Sequence, residues 1–285
     1  MNEDREELRR EILATLDTVP KLPVAVTRVL ALVNDPDSGV ADVMSAVETD
    51  PGLTAETLRI ANSAYFAGPR RIGSLKEAGV LLGLNRVMQL VLAAAVFPIG
   101  ARPVPGYDLE QGALVDGMLA VAVGTEILSR ELKRIPPSHA FTAGLLHDIG
   151  KLAMGNVVAR CKQEIRDCAL VEGLSYEQAE RYILGIDRAE AGAALLLSWQ
   201  LPDNVVTAVR WHLQPEQVTE EPYVTDLVHV SRLLATQCGL GLGQEGLNYK
   251  LSDTAYQRLG LNDDLTDRTT QGMVQAFKEI RAQFG

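Results

Sequence analysis

Two adjacent residues, His147 and Asp148, carry the strongest chemical signal in the sequence. They lie in a mainly apolar run over positions 143–151, which reads Ala-Gly-Leu-Leu-His-Asp-Ile-Gly-Lys. An imidazole nitrogen and a carboxylate oxygen are both suitable ligands for a divalent metal ion. A hydrolytic metal centre usually needs at least three protein ligands and an open position for water. The pair therefore predicts a metal site only if other parts of the chain supply the missing ligands.

The search for further histidine ligands is short, because the chain has four histidines: His139, His147, His212 and His229. His139 precedes His147 by eight residues, which places it ~80° away around a helix, an awkward angle for shared ligation. His212 and His229 are distant in sequence, and only the fold can bring them close to the pair.

Lys151 follows His147 by four residues and is expected on the same helix face. There it can hold a phosphate group or neutralise Asp148. The residues alone leave two interpretations, namely a metal centre or a partly buried polar helix face whose His and Asp bond to neighbouring groups.

The composition of the 285-residue chain is that of an ordinary globular protein, with 47% hydrophobic residues and a net charge of −10. The negative charge disfavours non-specific binding to nucleic acid. Three cysteines without a CxxC pair predict a reducing compartment. The charged N-terminus shows no secretory signal, and the apolar stretch from Leu90 to Phe97 is too short to cross a membrane. We expect a cytoplasmic protein that binds neither membranes nor nucleic acid.

Hydrophobic periodicity and capping signals predict helices throughout the chain, whereas strand signals are poor. The predicted fold class is all-α. Residues that suit the N-cap of a helix precede several of the apolar segments: Asp50, Ser74, Ser175, Asp187 and Ser252. Three of them have an acid or Gln three residues later, which predicts capping boxes: Ser74 with Glu77, Ser175 with Gln178, and Asp187 with Glu190.

The predicted domain organisation has four parts. An N-terminal helical subdomain covers residues 1–97, and a connection rich in Pro and Gly covers residues 98–108. A second helical subdomain, which carries His147, covers residues 109–240. A C-terminal helical extension covers residues 241–285.

The chain resembles the HDOD family, the HD-related output domains of bacterial signalling proteins. The first stretch that carries the resemblance comprises Asn34-Asp35-Pro36, the run from Glu48 to Phe66, and the run from Ile72 to Leu84. The second is Ala140 to Lys151, followed later by Trp199-Gln200-Leu201-Pro202. The resemblance covers residues from about 20 to 235 and implies a multi-helix, HD-like bundle.

Within the first stretch, the segment Asn62-Ser63-Ala64-Tyr65-Phe66 has two interpretations. It is either a recognition surface or a helix terminus whose polar side chains satisfy free carbonyl groups or the next loop. We favour the helix terminus.

The resemblance also implies which metal ligands this chain lacks. The superfamily's first His falls nearest Gly117, and no His occurs between residues 1 and 138. A later His position falls near Arg188, and another is retained as His212. Arg232 takes the expected place of the closing Asp. Arg cannot coordinate a metal and stays charged, so Arg232 is expected to oppose a bound cation.

Two functions follow as hypotheses. The first is a non-enzymatic signalling module with a degenerate metal site, without metal or other cofactor, which binds a signalling partner protein or a small anionic ligand. The anion would lie in a pocket formed by the retained and substituted positions: His147, Asp148, Lys151, Arg188, His212 and Arg232. The alternative is a metal-dependent phosphohydrolase with an unusual ligand set, namely His147, Asp148 and His212 with Asp116 or His229.

Overall fold

The computed structural model describes residues 2–33, 38–67, 70–241, 243 and 249–283. The chain is 74% helical, and the described residues contain no strand beyond one isolated bridge between Val104 and Leu109. The predicted all-α class is therefore confirmed. The segment Asn34-Asp35-Pro36, on which part of the family resemblance rests, lies outside the described residues.

Sixteen α-helices make up the described chain. In order they are α1 (Asn2–Thr15), α2 (Val24–Val33), α3 (Val40–Glu48), α4 (Pro51–Ala61), α5 (Ala64–Ala67), α6 (Leu75–Leu82), α7 (Leu84–Gly100), α8 (Ala113–Glu131), α9 (Ala140–Leu146), α10 (Lys151–Glu172), α11 (Tyr176–Leu184), α12 (Arg188–Ser198), α13 (Asp203–Trp211), α14 (Tyr223–Gln237), α15 (Asp253–Leu259) and α16 (Asp263–Arg281). Short 3₁₀ turns occur at Leu16–Thr18, Pro105–Tyr107 and Pro215–Gln217.

The predicted N-caps start the helices expected of them, because each side-chain oxygen accepts a hydrogen bond from a free main-chain N–H group of the first turn. Asp50 begins α4, Ser74 begins α6, and Asp187 begins α12. Ser175 and Gln178 form the complete reciprocal capping box that their spacing predicts.

The other two predicted capping boxes are wrong in one of their two hydrogen bonds, because the acid three residues after the N-cap does not bond to the N-cap main-chain N–H. The Glu77 carboxylate accepts a hydrogen bond at 2.8 Å from the main-chain N–H of Gly73, the residue before Ser74. The Glu190 carboxylate instead forms ion pairs with Arg210 and Arg9, at 3.0 and 2.8 Å. Tertiary contacts have taken Glu190 away from the local role that the sequence pattern suggests, whereas Glu77 still bonds locally, to a neighbour of the N-cap residue.

The His147-Asp148 pair does not lie inside a helix, as the sequence analysis supposed. Helix α9 ends at Leu146, His147 is its C-cap, and residues 147–150 form a turn before α10 begins at Lys151. Gly150 permits this turn, because a Cβ atom there would lie 2.1 Å from the carbonyl oxygen of Arg188. The main chain of the turn therefore packs directly against the start of α12.

The chain divides into two compact units. The first comprises residues 1–20 and 100–274, and the second comprises residues 21–99 and 275–285. This division differs from the predicted ranges at both ends, because α1 packs on α10 and α11, and α15 packs on α14. Residues 1–20 and most of the predicted C-terminal extension thus belong with the HD-like helices.

The predicted connection at 98–108 is ordered structure. Pro98 lies inside α7, which continues to Gly100, and the 3₁₀ turn at Pro105–Tyr107 packs on α10. Gly106 makes this approach possible, because a Cβ atom there would lie 2.2 Å from the carbonyl oxygen of Gly155. The close contact carries the side chain of Tyr107 into the interior, where it is fully buried.

In the unit of residues 21–99 and 275–285, the end of α4 is fastened to the loop before α6. The Asn62 side chain donates to the carbonyl oxygens of Leu58 and Ile72, at 2.8 and 2.9 Å, and accepts from the N–H of Ile72 at 2.8 Å. Asn62 therefore caps the end of α4, which is the interpretation of this segment that the sequence analysis favoured.

The unit of residues 1–20 and 100–274 is built around α8. That helix is buried along nearly its whole length and packs against α9 and α14. Helix α14 is also buried on most sides, including its polar residues Asp226, His229 and Arg232. These packed helices hold the candidate site. No helix within the described ranges combines the length and apolar character needed to span a bilayer.

Candidate functional site

The six positions predicted for the pocket come together in the structure. They are supplied by the turn after α9, the first residues of α10 and α12, the C-cap of α13 and the middle of α14. All six residues are buried: His147, Asp148, Lys151, Arg188, His212 and Arg232.

Asp148 lies at the centre of the cluster. Its Oδ2 atom is 2.7 Å from Nζ of Lys151 and 3.7 Å from Nε of Arg232. Its Oδ1 atom is 3.5 Å from Nε of Arg188. Three cationic side chains thus surround one carboxylate in an interior where charge interactions are stronger than in water.

This arrangement fixes the ionisation of Asp148. Burial by itself opposes a charged carboxylate, but the neighbouring Lys151, His147 and Arg232 together outweigh burial and hold the pKa of Asp148 well below its usual range. Asp148 is therefore an anion over the whole physiological pH range.

The two histidines of the cluster have matching orientations. Nδ1 of His147 lies 2.8 Å from the carbonyl oxygen of Gly144, and Nδ1 of His212 lies 2.7 Å from that of Val209. Because a carbonyl oxygen can only accept, each Nδ1 carries the proton and donates it. Both Nε2 atoms then face Asp148, at 3.4 Å from Oδ2 for His147 and 3.8 Å from Oδ1 for His212.

The His212 imidazole is neutral in this environment. Burial, reinforced by the neighbouring His147, holds the pKa of His212 well below its usual value, although Asp148 acts in the opposite direction. The two rings meet edge to face, with their centroids 5.3 Å apart. A neutral imidazole whose Nδ1 donates to a carbonyl group has the tautomer that metal-binding histidines usually adopt.

Arg188 connects the cluster to residues that the sequence analysis missed. Its guanidinium lies 3.0 Å from Oε2 of Glu180 and 3.5 Å from Oε2 of Glu177. Tyr107 donates its hydroxyl proton to the other oxygen of Glu180 at 2.7 Å. Burial raises the pKa of Glu180 to about 7, even though Arg188 opposes the shift. The sequence gives no local signal for this network, because its members come from three separate segments.

Arg232 is held on its other side by Tyr249, which the sequence analysis also missed. The guanidinium carbon of Arg232 lies 4.4 Å from the centre of the Tyr249 ring, a favourable cation–π arrangement. The Tyr249 hydroxyl lies 2.9 Å from Nδ1 of His229. The segment that follows α14 therefore helps to position the cation beside Asp148.

His229 and Asp116, which the alternative ligand set included, do not complete a group of three metal ligands among the described residues. Nε2 of His229 accepts a hydrogen bond from the main-chain N–H of Ser252 at 2.9 Å, and its Nδ1 atom lies 2.8 Å from the carbonyl oxygen of His212. Both ring nitrogens of His229 are thus used to fasten the chain. Asp116 is not among the described residues that line the cavity beside Asp148.

Gly117, the position nearest the missing first His, does line that cavity. A Cβ atom on Gly117 would lie 2.6 Å from Cα of Gly241, a separation that side chains essentially never show. Gly241 itself has a φ angle of +66° and so takes a conformation that favours glycine. Main chain therefore fills the place into which a histidine at position 117 would extend.

The cavity beside Asp148 has a volume of about 10 Å³. This is close to the smallest volume that holds one water molecule. Phosphate or nucleotide binding would therefore require the cluster to open, and Arg188 already pairs with two glutamates.

The residues present do not fit a divalent metal ion. Such an ion would need nitrogen and oxygen ligands at roughly 2.0–2.2 Å. The Asp148 carboxylate already has Lys151 at 2.7 Å and two guanidinium groups nearby, and these positive charges repel a second cation. Across the described part of the chain, no group of three or more His, Cys, Asp or Glu side chains is arranged to hold a metal.

Comparison with solved structures supports the fold. A candidate phosphohydrolase from Shewanella amazonensis SB2B is 27% identical, with a TM-score of 0.72 over 96% of this chain and 98% of that one. A candidate signal transduction protein from Marinobacter aquaeolei VT8 is 24% identical, with a TM-score of 0.71 over 98% of this chain and 65% of that one. In both comparisons the similarity covers nearly the whole of the present chain.

Comparison of sequences gives the family. An uncharacterized protein of Treponema pallidum (strain Nichols) is 23% identical over 225 residues, which are 75% of this chain and 41% of the relative. The chain thus spans less than half the length of that relative. Residues 19–215 match the family model of the HDOD domain. Together with the helical bundle and its central His-Asp pair, this match shows that the chain belongs to the HDOD family.

Proposed function

We propose that this chain is a regulatory signal-transduction module without hydrolytic activity, which acts by binding a partner protein. The observation that carries the proposal is the environment of Asp148. Lys151, Arg188 and Arg232 supply positive charge around this carboxylate, where a catalytic relative would need a metal ion.

The charge balance supports the proposal. Lys151 is held at 2.7 Å from Asp148 and is fully buried, so the carboxylate has a permanent counter-charge supplied by the chain itself. Glu177, together with the ionised fraction of Glu180, balances part of the charge on Arg188. A cluster that is compensated internally has little electrostatic reason to recruit either a dication or a phosphate.

The cluster also has features that suit a conformational relay. It joins the ends or middles of α9, α10, α12, α13 and α14, and through Tyr249 it reaches the segment after α14. A displacement of one of these helices by a partner protein would change the distances around Asp148. Such coupling between packed polar groups is the physical basis for a signal that passes through the bundle.

The proposal is tested by metal analysis and enzyme assays of the purified chain. We expect no stoichiometric iron, manganese or zinc, and no turnover of phosphomonoester or phosphodiester substrates when these metals are added. Stoichiometric metal that disappears in a His147→Ala, Asp148→Ala double variant, together with turnover, would overturn it. Exchange of Glu172, an exposed acid on α10, for Gln provides a control for non-specific metal binding.

A metal-dependent phosphohydrolase is the second candidate, because one observation favours it. Nε2 of His147 and Nε2 of His212 both face Asp148, while each Nδ1 lies within hydrogen-bond distance of a main-chain carbonyl oxygen. The similarity to the candidate phosphohydrolase from Shewanella amazonensis SB2B agrees with this function. In this case the Arg232→Asp variant, which restores an acid at the expected closing position, should bind metal more tightly than the natural chain and gain activity.

A further inference from the structure

A second concavity, which we call the α13 groove, lies away from the Asp148 cluster in the unit of residues 1–20 and 100–274. Its volume is about 480 Å³, within the range of small-molecule sites. The lining residues come from the start of α9, one face of α13 and the segment that leads into α14: His139, Asn204, Thr207, Ala208, Trp211, Gln217, Val218, Thr219, Glu220, Glu221, Val224 and Thr225.

The floor of the α13 groove is apolar and the rim is polar. Ala208, Val218 and Val224 are buried, and Trp211 is half-buried beside them. Asn204, Thr207, Ala208 and Trp211 follow helical spacing, so one face of α13 forms a continuous wall. This construction suits a ligand with an aliphatic stem and a polar head.

The rim carries negative charge. Glu220 and Glu221 are both exposed, and no Lys or Arg is among the described residues that line the groove. Burial lowers the pKa of His139, although Glu221 acts in the opposite direction, so His139 adds no positive charge at neutral pH. The nearby Arg210 is paired with Glu190 at 3.0 Å, so Glu220 and Glu221 are the charged side chains among the described lining residues.

Two further features fix the shape of the groove. Glu221 has a φ angle of +49°, a strained conformation for a residue with a side chain. The Trp211 ring is fixed by the guanidinium of Arg210, whose carbon lies 4.4 Å from the ring centre, and Arg210 is fixed in turn by Glu190 at 3.0 Å. The indole, held by Arg210, is a fixed apolar wall against which the aliphatic stem of an organic cation can pack.

We propose that the α13 groove binds an alkylated guanidinium or ammonium group, with its stem on Trp211 and Val218 and its charge at Glu220 and Glu221. The group belongs either to a free small molecule or to an Arg or Lys side chain of a protein. This inference does not depend on the state of the Asp148 cluster, and the two can fail separately.

The test follows the indole N–H signal of Trp211 by NMR spectroscopy. The chain has two tryptophans, Trp199 and Trp211, so a Trp211→Phe variant assigns the signals. The full chain is titrated with n-butylguanidinium and, separately, with n-butylurea, which has a similar shape and no charge. We expect a saturable shift of the Trp211 signal with the cation and none with the urea over the same concentrations.

Charge variants separate a specific site from the general attraction of an acidic protein. Glu220→Gln and Glu221→Gln should each weaken n-butylguanidinium binding by roughly 3- to 10-fold. Glu172→Gln, which changes the net charge equally but lies on α10 outside the groove, should leave binding unchanged. Equal binding of the urea, absence of a saturable shift, or equal weakening by Glu172→Gln would overturn the proposal.

A third titration identifies the source of the cation. A blocked Gly-Arg-Gly peptide that binds more tightly than n-butylguanidinium assigns the groove to a protein side chain. A peptide that binds more weakly assigns it to a free small molecule.

Discussion

The Nζ atom of Lys151 lies 2.7 Å from Oδ2 of Asp148, and the Lys151 side chain is almost completely buried. A lysine ammonium group is strongly hydrated in water, so its burial is costly unless a counter-charge replaces the lost water. The contact between these two residues therefore gives Asp148 a positive partner that the chain itself supplies.

The first prediction concerns this buried pair. Lys151→Met keeps the length of the side chain and removes its charge, which leaves Asp148 buried with less compensation. We expect the free energy of unfolding to fall by about 3–5 kcal/mol. Urea denaturation followed by circular dichroism measures the change, and a double variant with Asp148→Asn should recover part of the loss.

The matched control is the more exposed pair between Lys162 and Asp108. Lys162→Met should cost less than about 1 kcal/mol, because water screens a surface ion pair. An equal cost for the two lysine variants would show that Lys151 contributes no more than a surface charge.

The second prediction concerns the contact between Gly117 and Gly241. A Cβ atom on Gly117 meets main chain that cannot rotate away, so Gly117→Ala should lower the free energy of unfolding by about 1–3 kcal/mol. Gly52→Ala in α4, where the nearest atom lies at 3.4 Å, should be neutral or slightly stabilising. Thermal unfolding of both variants makes the comparison, and an unchanged melting temperature for Gly117→Ala would contradict it.

The third prediction is a pH dependence that originates in His229. Burial lowers the pKa of His229 to about 4, whereas an unfolded chain has an imidazole pKa of about 6.5. Between these values the unfolded state binds more protons, so the contribution of His229 to stability is present above pH 6.5 and is lost as the pH falls towards 4.

The change that isolates this contribution is His229→Gln. Its cost in unfolding free energy, relative to the natural chain, should be largest at pH 7 and smaller by roughly 2–3 kcal/mol at pH 4. Contributions from the other titrating groups largely cancel in this difference. A cost that does not vary with pH would show that His229 does not remain neutral in the folded protein.

The fourth prediction concerns the counter-charge in the cluster. Asp148→Asn removes a carboxylate that lies beside Lys151 and Arg232, next to a cavity with the volume of about one water molecule. Chloride has a similar size and can restore negative charge. At equal ionic strength, the melting temperature of this variant should be higher in chloride than in gluconate, by a few degrees.

The natural chain should show no such difference, because Asp148 already neutralises the cations. Calorimetric unfolding in the two salts makes the comparison. A chloride effect of the same size in both proteins would indicate general salt stabilisation and would remove the argument for a compensated cluster.

The sequence predicted the helical elements well because caps and hydrophobic spacing are local. Ser175 with Gln178 forms its predicted capping box, and Asp50 is the N-cap of α4 as predicted. The boundary at His147 was wrong, since the close packing of Gly150 on α12 is a long-range contact without a local signature. Tyr107, Glu180 and Tyr249 were missed for the same reason.

The sequence by itself determined the all-α class, the likeness to the HDOD family and the absence of a His before residue 139. Only the tertiary structure decided that Lys151, Arg188 and Arg232 converge on Asp148, and that His229 turns its ring nitrogens to His212 and Ser252. Residue types report which charges a chain contains. The distances between those charges depend on how helices far apart in sequence pack together, and these distances decide whether a carboxylate meets a metal ion or a buried lysine.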